Sequence, residues 1–228
     1  MIENGSRIVT NGKPIWIDDK GYPKEAFLLP FHYEKDISLV LIPKGIILDR
    51  IEKMAYNISN FYRNKHVHLV CILKGSRAYF NHLLNTLNKI YLYNYNANET
   101  TPYLEHYVRV KSYENETSLG KITIVSDDLS ALKGQNVLIV EDLIDTGLTL
   151  KKLCEWLEEN VKPRHIGITC LLEKRLATVH DVKRDFVGFS VPNVFIVGFG
   201  IDYNDWFRDL EHICVLKPEA TKRLCVKS

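Results

Sequence analysis

Asn136-Val137-Leu138-Ile139-Val140-Glu141-Asp142-Leu143-Ile144-Asp145-Thr146-Gly147-Leu148-Thr149 is the stretch on which the reading of this chain turns. Val137 to Val140, with Leu143 and Ile144 close behind, have the continuous apolar character of a strand buried on both faces. Glu141, Asp142 and Asp145 interrupt it, and Thr146, Gly147 and Thr149 lead into a helical pattern. A buried strand therefore delivers carboxylates and then a helix N-terminus. Free N–H groups and the positive dipole end attract a phosphate there, while neighbouring acids can hold hydroxyls, protons or a metal ion. The plainer reading, a surface loop with Asp145 as N-cap, accounts for one acid and leaves the others unexplained.

Outward from this stretch the pattern alternates. Ile51, Met54, Ala55, Ile58 and Tyr62 recur at helical spacing, with Ile46 to Leu48 leading in after Gly45. His68 to Leu73 is a second apolar strand, ending in Lys74-Gly75-Ser76-Arg77, and Phe80, Leu83, Leu84 and Leu87 mark the helix after it. Asn94 to Thr101 is a polar connection. Tyr103 to Val110 reads as a strand, Lys111 to Gly120 as a polar loop, and Lys121 to Val125 as the return strand of a hairpin-like pair. After the central stretch come a helix face (Leu150, Leu153, Cys154, Leu157, Val161) and strands at His165 to Leu172, Phe186 to Phe189, Val194 to Val197 and Ile213 to Leu216. Alternating strands and helices predict one α/β domain spanning residues 1–228, with a doubly wound, mainly parallel sheet. The core is expected at about residues 37–190, and a small hood at about 16–36 and 191–217. Ligands of such sheets sit at the carboxyl ends of the strands, where the Lys74, Asp145, Lys174 and Asp202 positions all fall.

With 228 residues the chain can bury a core without covalent staples, and its net charge of +2 argues against nucleic acid or a polybasic membrane surface as the main partner. Cys71, Cys154, Cys170, Cys214 and Cys225 form no C-x-x-C pair; Cys71, Cys170 and Cys214 lie in apolar runs and read as core thiols of a reducing compartment. His66 and His68 lack further ligands nearby, so no zinc site is expected. The polar first fifteen residues read as a loosely ordered arm, and no run reaches the roughly 18 apolar residues of a membrane span. Cytoplasmic localisation follows as the default.

Spacing removes several phosphate chemistries. No G-x-x-x-x-G-K-[ST] string exists, and Gly198-Phe199-Gly200 continues as Ile201-Asp202-Tyr203 without the third glycine of a dinucleotide fingerprint. Asp142 and Asp145 are three apart, not the two of an aspartyl D-x-D phosphatase.

The remaining combination, Val137 to Thr149, resembles the phosphoribosyl-pyrophosphate signature of the purine phosphoribosyltransferases, in particular the hypoxanthine-guanine branch. The resemblance extends over roughly Trp16 to Leu216 through Ile72 to Arg77, Arg109 to Tyr113, Asp127 to Ser130, Asp185 to Phe189, Asp202 to Asn204 and Phe207 to Asp209. It implies transfer of the 5-phosphoribosyl group from phosphoribosyl pyrophosphate to a 6-oxopurine, hypoxanthine or guanine, in purine salvage, with Mg²⁺ as cofactor and a homodimer or homotetramer as assembly. It assigns Glu141 and Asp142 to the ribose hydroxyls, and Asp145, Thr146, Gly147, Leu148 and Thr149 to the 5′-phosphate. Asp145 is also implied as the proton-transfer residue at purine N7, and a carboxylate is a ready proton acceptor at neutral pH. Lys74, Gly75 and Arg208 are implied for pyrophosphate, with a cis peptide after Leu73. Asp202, with Glu141 and Asp142, is implied for the metal. The purine falls to Lys174, Phe195, Ile196 and Asp202, a lysine donor suiting a 6-oxo rather than a 6-amino group. Lys111, Ser112 and Tyr113 open the implied lid, which would exclude water from the reacting centre.

The chain departs from that pattern at Leu148, where many relatives carry Lys, and at Leu176-Ala177, where they carry Thr-Pro. Ser76, Glu173 and an apolar residue at 148 recur together in protist enzymes that also accept xanthine, which extends the implied acceptors to that base. A catalytically inactive nucleotide-binding regulator on the same fold is the alternative reading; Asp145, Lys74 and Arg208 are the residues whose loss would have favoured it.

Overall fold

The computed structural model describes residues 12–94, 103–112, 122–126, 128–178 and 180–225. The elements in order are β1 (Ile15–Trp16), β2 (Tyr22–Pro23), α1 (Phe31–Glu34), β3 (Ile37–Ile42), α2 (Lys44–Phe61), β4 (Val67–Leu73), α3 (Arg77–Asn94), β5 (Tyr103–Ser112), β6 (Ile122–Ser126), β7 (Asn136–Ile144), α4 (Leu148–Asn160), β8 (His165–Lys174), β9 (Phe186–Val191), β10 (Ile196–Val197), β11 (Ile213–Leu216) and α5 (Pro218–Arg223). Seven strands form the main sheet in the order β1-β9-β8-β7-β4-β5-β6, parallel except for the β5–β6 hairpin. A smaller antiparallel sheet runs β10-β11-β3-β2.

β7 lies in the middle of the main sheet because its residues are apolar on both faces. Leu138 and Val140 join the cluster under α2 and α3, while Val137 and Ile139 join the one under α4. That alternation is the period-two geometry of a strand, and full burial of each such side chain is worth about 1.5–3 kcal/mol. Adjacent β4 splits the same way, with Leu69 and Cys71 on one side and Val70 and Ile72 on the other. Their parallel pairing, Cys71 opposite Val140, brings the Lys74 loop beside Glu141 and Asp142. The thiols of Cys71, Cys170 and Cys214 are buried as expected, and burial raises all three, Cys71 and Cys214 to about 12.

The small sheet differs from the expected hood. β3, assigned by sequence to the core, pairs with β11 and β2, so the hood takes residues 37–42. Ile37, Val40 and Leu216 pack there against Tyr33, Phe207 and Leu210. Conversely β1, from the arm, adds a parallel strand to the main sheet beside β9. Ile46 to Leu48 belong to α2 itself, which starts at Lys44 after Pro43, a residue with fixed φ suited to a helix start. Lys111 and Ser112 extend β5 instead of opening a loop, paired with Thr123 and Ile122. Tyr113 and the rest of the expected lid to Gly120 lie outside the described residues, as do Asp127, the first eleven residues and 95–102. α5 was not legible in the pattern. No described helix is long and apolar enough to cross a membrane.

Candidate active site

The carboxyl ends of β4, β7, β8 and β10 and the loops that follow them carry the expected side chains. Three groups form there. In the first, Ser76 is wholly buried and its Oγ donates to Glu141 Oε1 at 2.9 Å, with Asp142 Oδ1 at 3.2 Å as a second acceptor. The Asp142 N–H donates back to Ser76 Oγ at 3.0 Å and reaches Glu141 Oε1 at 3.1 Å. Burial, and then the neighbouring Asp142 carboxylate, push Glu141 well above the usual carboxylate range, against the pull of Ser76 and the Asp142 N–H. Gly75 is required for this packing, because a Cβ there would lie 2.2 Å from Asp142 Oδ2. The sequence marks Ser76 only as part of the Lys74 loop and of the protist pattern; its bonding role spans 65 positions and has no local signature.

The second group joins Asp145 to Lys174. Lys174 Nζ lies 3.0 Å from Asp145 Oδ2; the lysine side chain is largely buried and the aspartate about half exposed. Asp145 is not the N-cap of α4. Gly147 holds that position at φ +82°, a conformation glycine adopts without a Cβ penalty, and as a glycine it offers no side-chain cap. The plainer reading of Asp145 therefore fails, and Gly147 lends no side chain to the first N–H groups of α4. Thr146 Oγ1 stands 3.4 Å from the Leu148 amide, and Thr146, Leu148 and Thr149 are exposed around it.

The third group is ionic. Lys74 follows a cis peptide from Leu73, and its Nζ lies 2.9 Å from Asp205 Oδ1. Arg208 Nη2 lies 3.0 Å from the same oxygen and 2.9 Å from Asp202 Oδ1, while its Nη1 donates to Gly200 O at 2.9 Å. Gly200 packs on the Gly75 carbonyl, where a Cβ would come within 2.2 Å, so the two sheets meet at this point. Leu73, Lys74, Arg77, Ala78, Gly200 and Arg208 line a cavity of about 310 Å³. Asp205 belongs to none of the segments singled out in the sequence, and its contact with Lys74 crosses 131 positions.

Phe195 is exposed, edge-on to Tyr203 with ring centroids 5.1 Å apart, rather than a core residue. Ile196 is buried in β10, opposite Val215. Among the described residues no three of His, Cys, Asp or Glu converge on one point, so Asp202 does not join Glu141 and Asp142 in a single metal cage. Hard oxygen donors are nonetheless present, and one or two carboxylates suffice for an ion that keeps waters and substrate oxygens as its remaining ligands.

Residues 43–204 match the model of the phosphoribosyl transferase domain. The chain is 49% identical over 213 residues to the hypoxanthine-guanine-xanthine phosphoribosyltransferase of Plasmodium falciparum, covering 92% of this chain and 91% of that protein. It is 40% identical over 200 residues to the hypoxanthine-guanine phosphoribosyltransferase of Homo sapiens, covering 87% and 90%. The crystal structure of the hypoxanthine-guanine phosphoribosyltransferase of Schistosoma mansoni in complex with IMP superposes with a TM-score of 0.77 at 34% identity, covering 93% of this chain and 99% of that one.

Proposed function

This chain belongs to the phosphoribosyl transferase domain family, and from that premise we propose that it transfers the 5-phosphoribosyl group from phosphoribosyl pyrophosphate to hypoxanthine or guanine, with xanthine as a further acceptor, in purine salvage. The observation that carries the reading is the Lys174–Asp145 contact at 3.0 Å beside the start of α4 at Gly147. A 6-oxopurine offers O6 and N7 on one edge. Lys174 can donate to O6 while Asp145 takes the N7 proton, so this pair matches that edge in both charge and spacing. Phe195 supplies an exposed ring for stacking, and the main chain of Ile196 and Asp202 completes the purine subsite.

As the purine N9 attacks ribose C1′, pyrophosphate leaves and positive charge gathers on the sugar. Glu141 and Asp142 hold the ribose hydroxyls beneath it, and their negative charge favours that state. Backbone N–H groups of Thr146, Gly147, Leu148 and Thr149 take the 5′-phosphate, which is why Leu148 can stand where a lysine side chain is usual. Lys74, the Gly75 main chain and Arg208 receive the pyrophosphate. Asp202, and separately the pair Glu141 and Asp142, are the residues that would hold Mg²⁺, directly or through water, and a bound ion would neutralise charge on the leaving group.

A reducing, cytoplasmic setting fits the buried thiols of Cys71, Cys170 and Cys214. Assembly as a homodimer or homotetramer fits the exposed Leu28, Phe31 and Trp206 of the hood, and sedimentation would decide the number.

Purified protein with Mg²⁺, phosphoribosyl pyrophosphate and each of hypoxanthine, guanine, xanthine and adenine tests the reading. Nucleotide is expected from the 6-oxopurines and not from adenine; no product from any base would overturn it. Asp145→Asn should lower kcat by something on the order of 10²-fold with phosphoribosyl pyrophosphate still bound, and full turnover would remove Asp145 as the base.

A further inference from the structure

We propose that Asp205 is a tethered competitor for the pyrophosphate subsite and sets how long the leaving group stays bound. The inference rests on the reading of Lys74 and Arg208 given above. One carboxylate oxygen, Asp205 Oδ1, lies 2.9 Å from Lys74 Nζ and 3.0 Å from Arg208 Nη2. Those cations come from opposite sheets and line the same cavity with Arg77 and Gly200. A phosphoryl oxygen drawn to both cations needs the point that Oδ1 now fills. Arg208 Nε, buried and without an acceptor among the described residues, is a further donor of that guanidinium.

The loop does not need this carboxylate to keep its shape. Tyr203 and Trp206 exchange backbone bonds at 3.1 and 3.0 Å, and the Asp205 N–H donates to Asp202 Oδ2 at 2.7 Å. Lys74 and Asp205 are both substantially exposed, and an exposed pair of this kind adds little to stability. What the pair does is occupy two cations. Pyrophosphate must displace a carboxylate that stays attached nearby, and on departure the carboxylate closes the pairs again. Where product release limits turnover, such a competitor speeds the cycle.

Calorimetric titration of the full-length wild type and Asp205→Asn with inorganic pyrophosphate and Mg²⁺ tests this, with pyrophosphate release followed by stopped flow and nucleotide formation assayed in parallel. Asparagine tolerates the φ of +64° at this position and removes only the charge. The variant is expected to bind pyrophosphate about three- to tenfold more tightly, with slower release and an unchanged melting temperature. Should the asparagine variant not fold, Asp205→Gly, which suits a positive φ, reads the same quantity. Equal or weaker pyrophosphate binding by the variant, with nucleotide formation intact in the wild type, overturns the competitor alone. Absence of both pyrophosphate binding and nucleotide formation in the wild type overturns the enzymatic reading with it.

Discussion

Glu141 shows at the scale of one residue how a site conflicts with stability. Its carboxyl is buried and raised above the ordinary glutamate range. Well below that range both folded and unfolded chains hold the proton, and burial costs no charge. As pH rises, the unfolded chain ionises first, so it binds fewer protons than the folded one and stability falls. Glu141→Gln keeps an acceptor for Ser76 and cannot ionise. In chelator without ligands it should melt higher than the wild type by about 2–4 °C near pH 8, the shift that roughly 1 kcal/mol makes in a domain of this size. The gain should vanish toward pH 4, and transferase activity should drop with the lost charge. A constant difference across that pH range would refute the linkage. Gly75→Ala tests the same packing from the other side: its Cβ drives Asp142 away from Ser76, and KM for phosphoribosyl pyrophosphate should rise about tenfold or more. Side chains at this scale were legible where a short motif contains them, as with Glu141, Asp142 and Asp145. Ser76 and Asp205 were not, because their roles depend on partners brought close only by the pairing of β4 with β7 and by the meeting of the two sheets.

At the scale of elements, β4, β7, α4 and β8 were readable because each buries enough apolar surface to impose its own period. β1 was not, since two residues carry no period; it is held by side chains of other elements. Arg50 Nη2 donates to Lys13 O at 3.0 Å, and Arg175 donates to Ile17 O at 2.7 Å and Ser190 O at 2.6 Å. The Arg175 guanidinium also lies 3.7 Å over the Trp16 ring. Arg175 directly follows Lys174 at the end of β8, so the clamp on β1 and the proposed purine donor share a backbone. Arg175→Met should release β1 while leaving the other six strands of the main sheet paired. Hydrogen exchange should quicken at the Ile17 amide, which donates to Ser190 O at 2.9 Å, with β7 amides unchanged. Purine KM should rise severalfold more than that for phosphoribosyl pyrophosphate. Equal protection at Ile17 in both proteins would remove Arg175 as the clamp.

For the molecule as a whole, two sheets share one core: Leu41, Ile42, Ile196 and Ile213 of the small sheet pack in the same cluster as Leu138 and Val140 of the large one. The pairing of β3 with β11, which builds the small sheet, joins residues about 170 positions apart and leaves no trace in local periodicity. The residues of the proposed site gather at the carboxyl ends of the large sheet, and toward the opposite end lies a second polar feature, His68 on β4 with His106 on β5. His68 Nδ1 is 2.8 Å from His106 Nε2, and the rings stack at 23°. A bond between two imidazoles needs at least one of them neutral. Burial lowers both below the usual histidine value, and His68 is lowered further by the charges His106 and His66 would carry. A lowered folded pKa means that the unfolded chain takes up protons first as pH falls. Stability from this pair is thus full above about 6.5 and is lost as pH drops through the lowered folded values. His106→Phe keeps a ring over His68 but leaves the His68 nitrogen without its partner, so the variant should melt lower than the wild type at pH 7.5. Between pH 7.5 and 5.5 the wild type should lose more melting temperature than the variant, because one titrating group and one repulsion are gone. Separated from Asp145 by the length of the sheet, the substitution should leave kcat/KM at pH 7.5 unchanged. Parallel melting curves of wild type and variant over that pH interval would show that the histidine pair does not govern the acid limit of the fold.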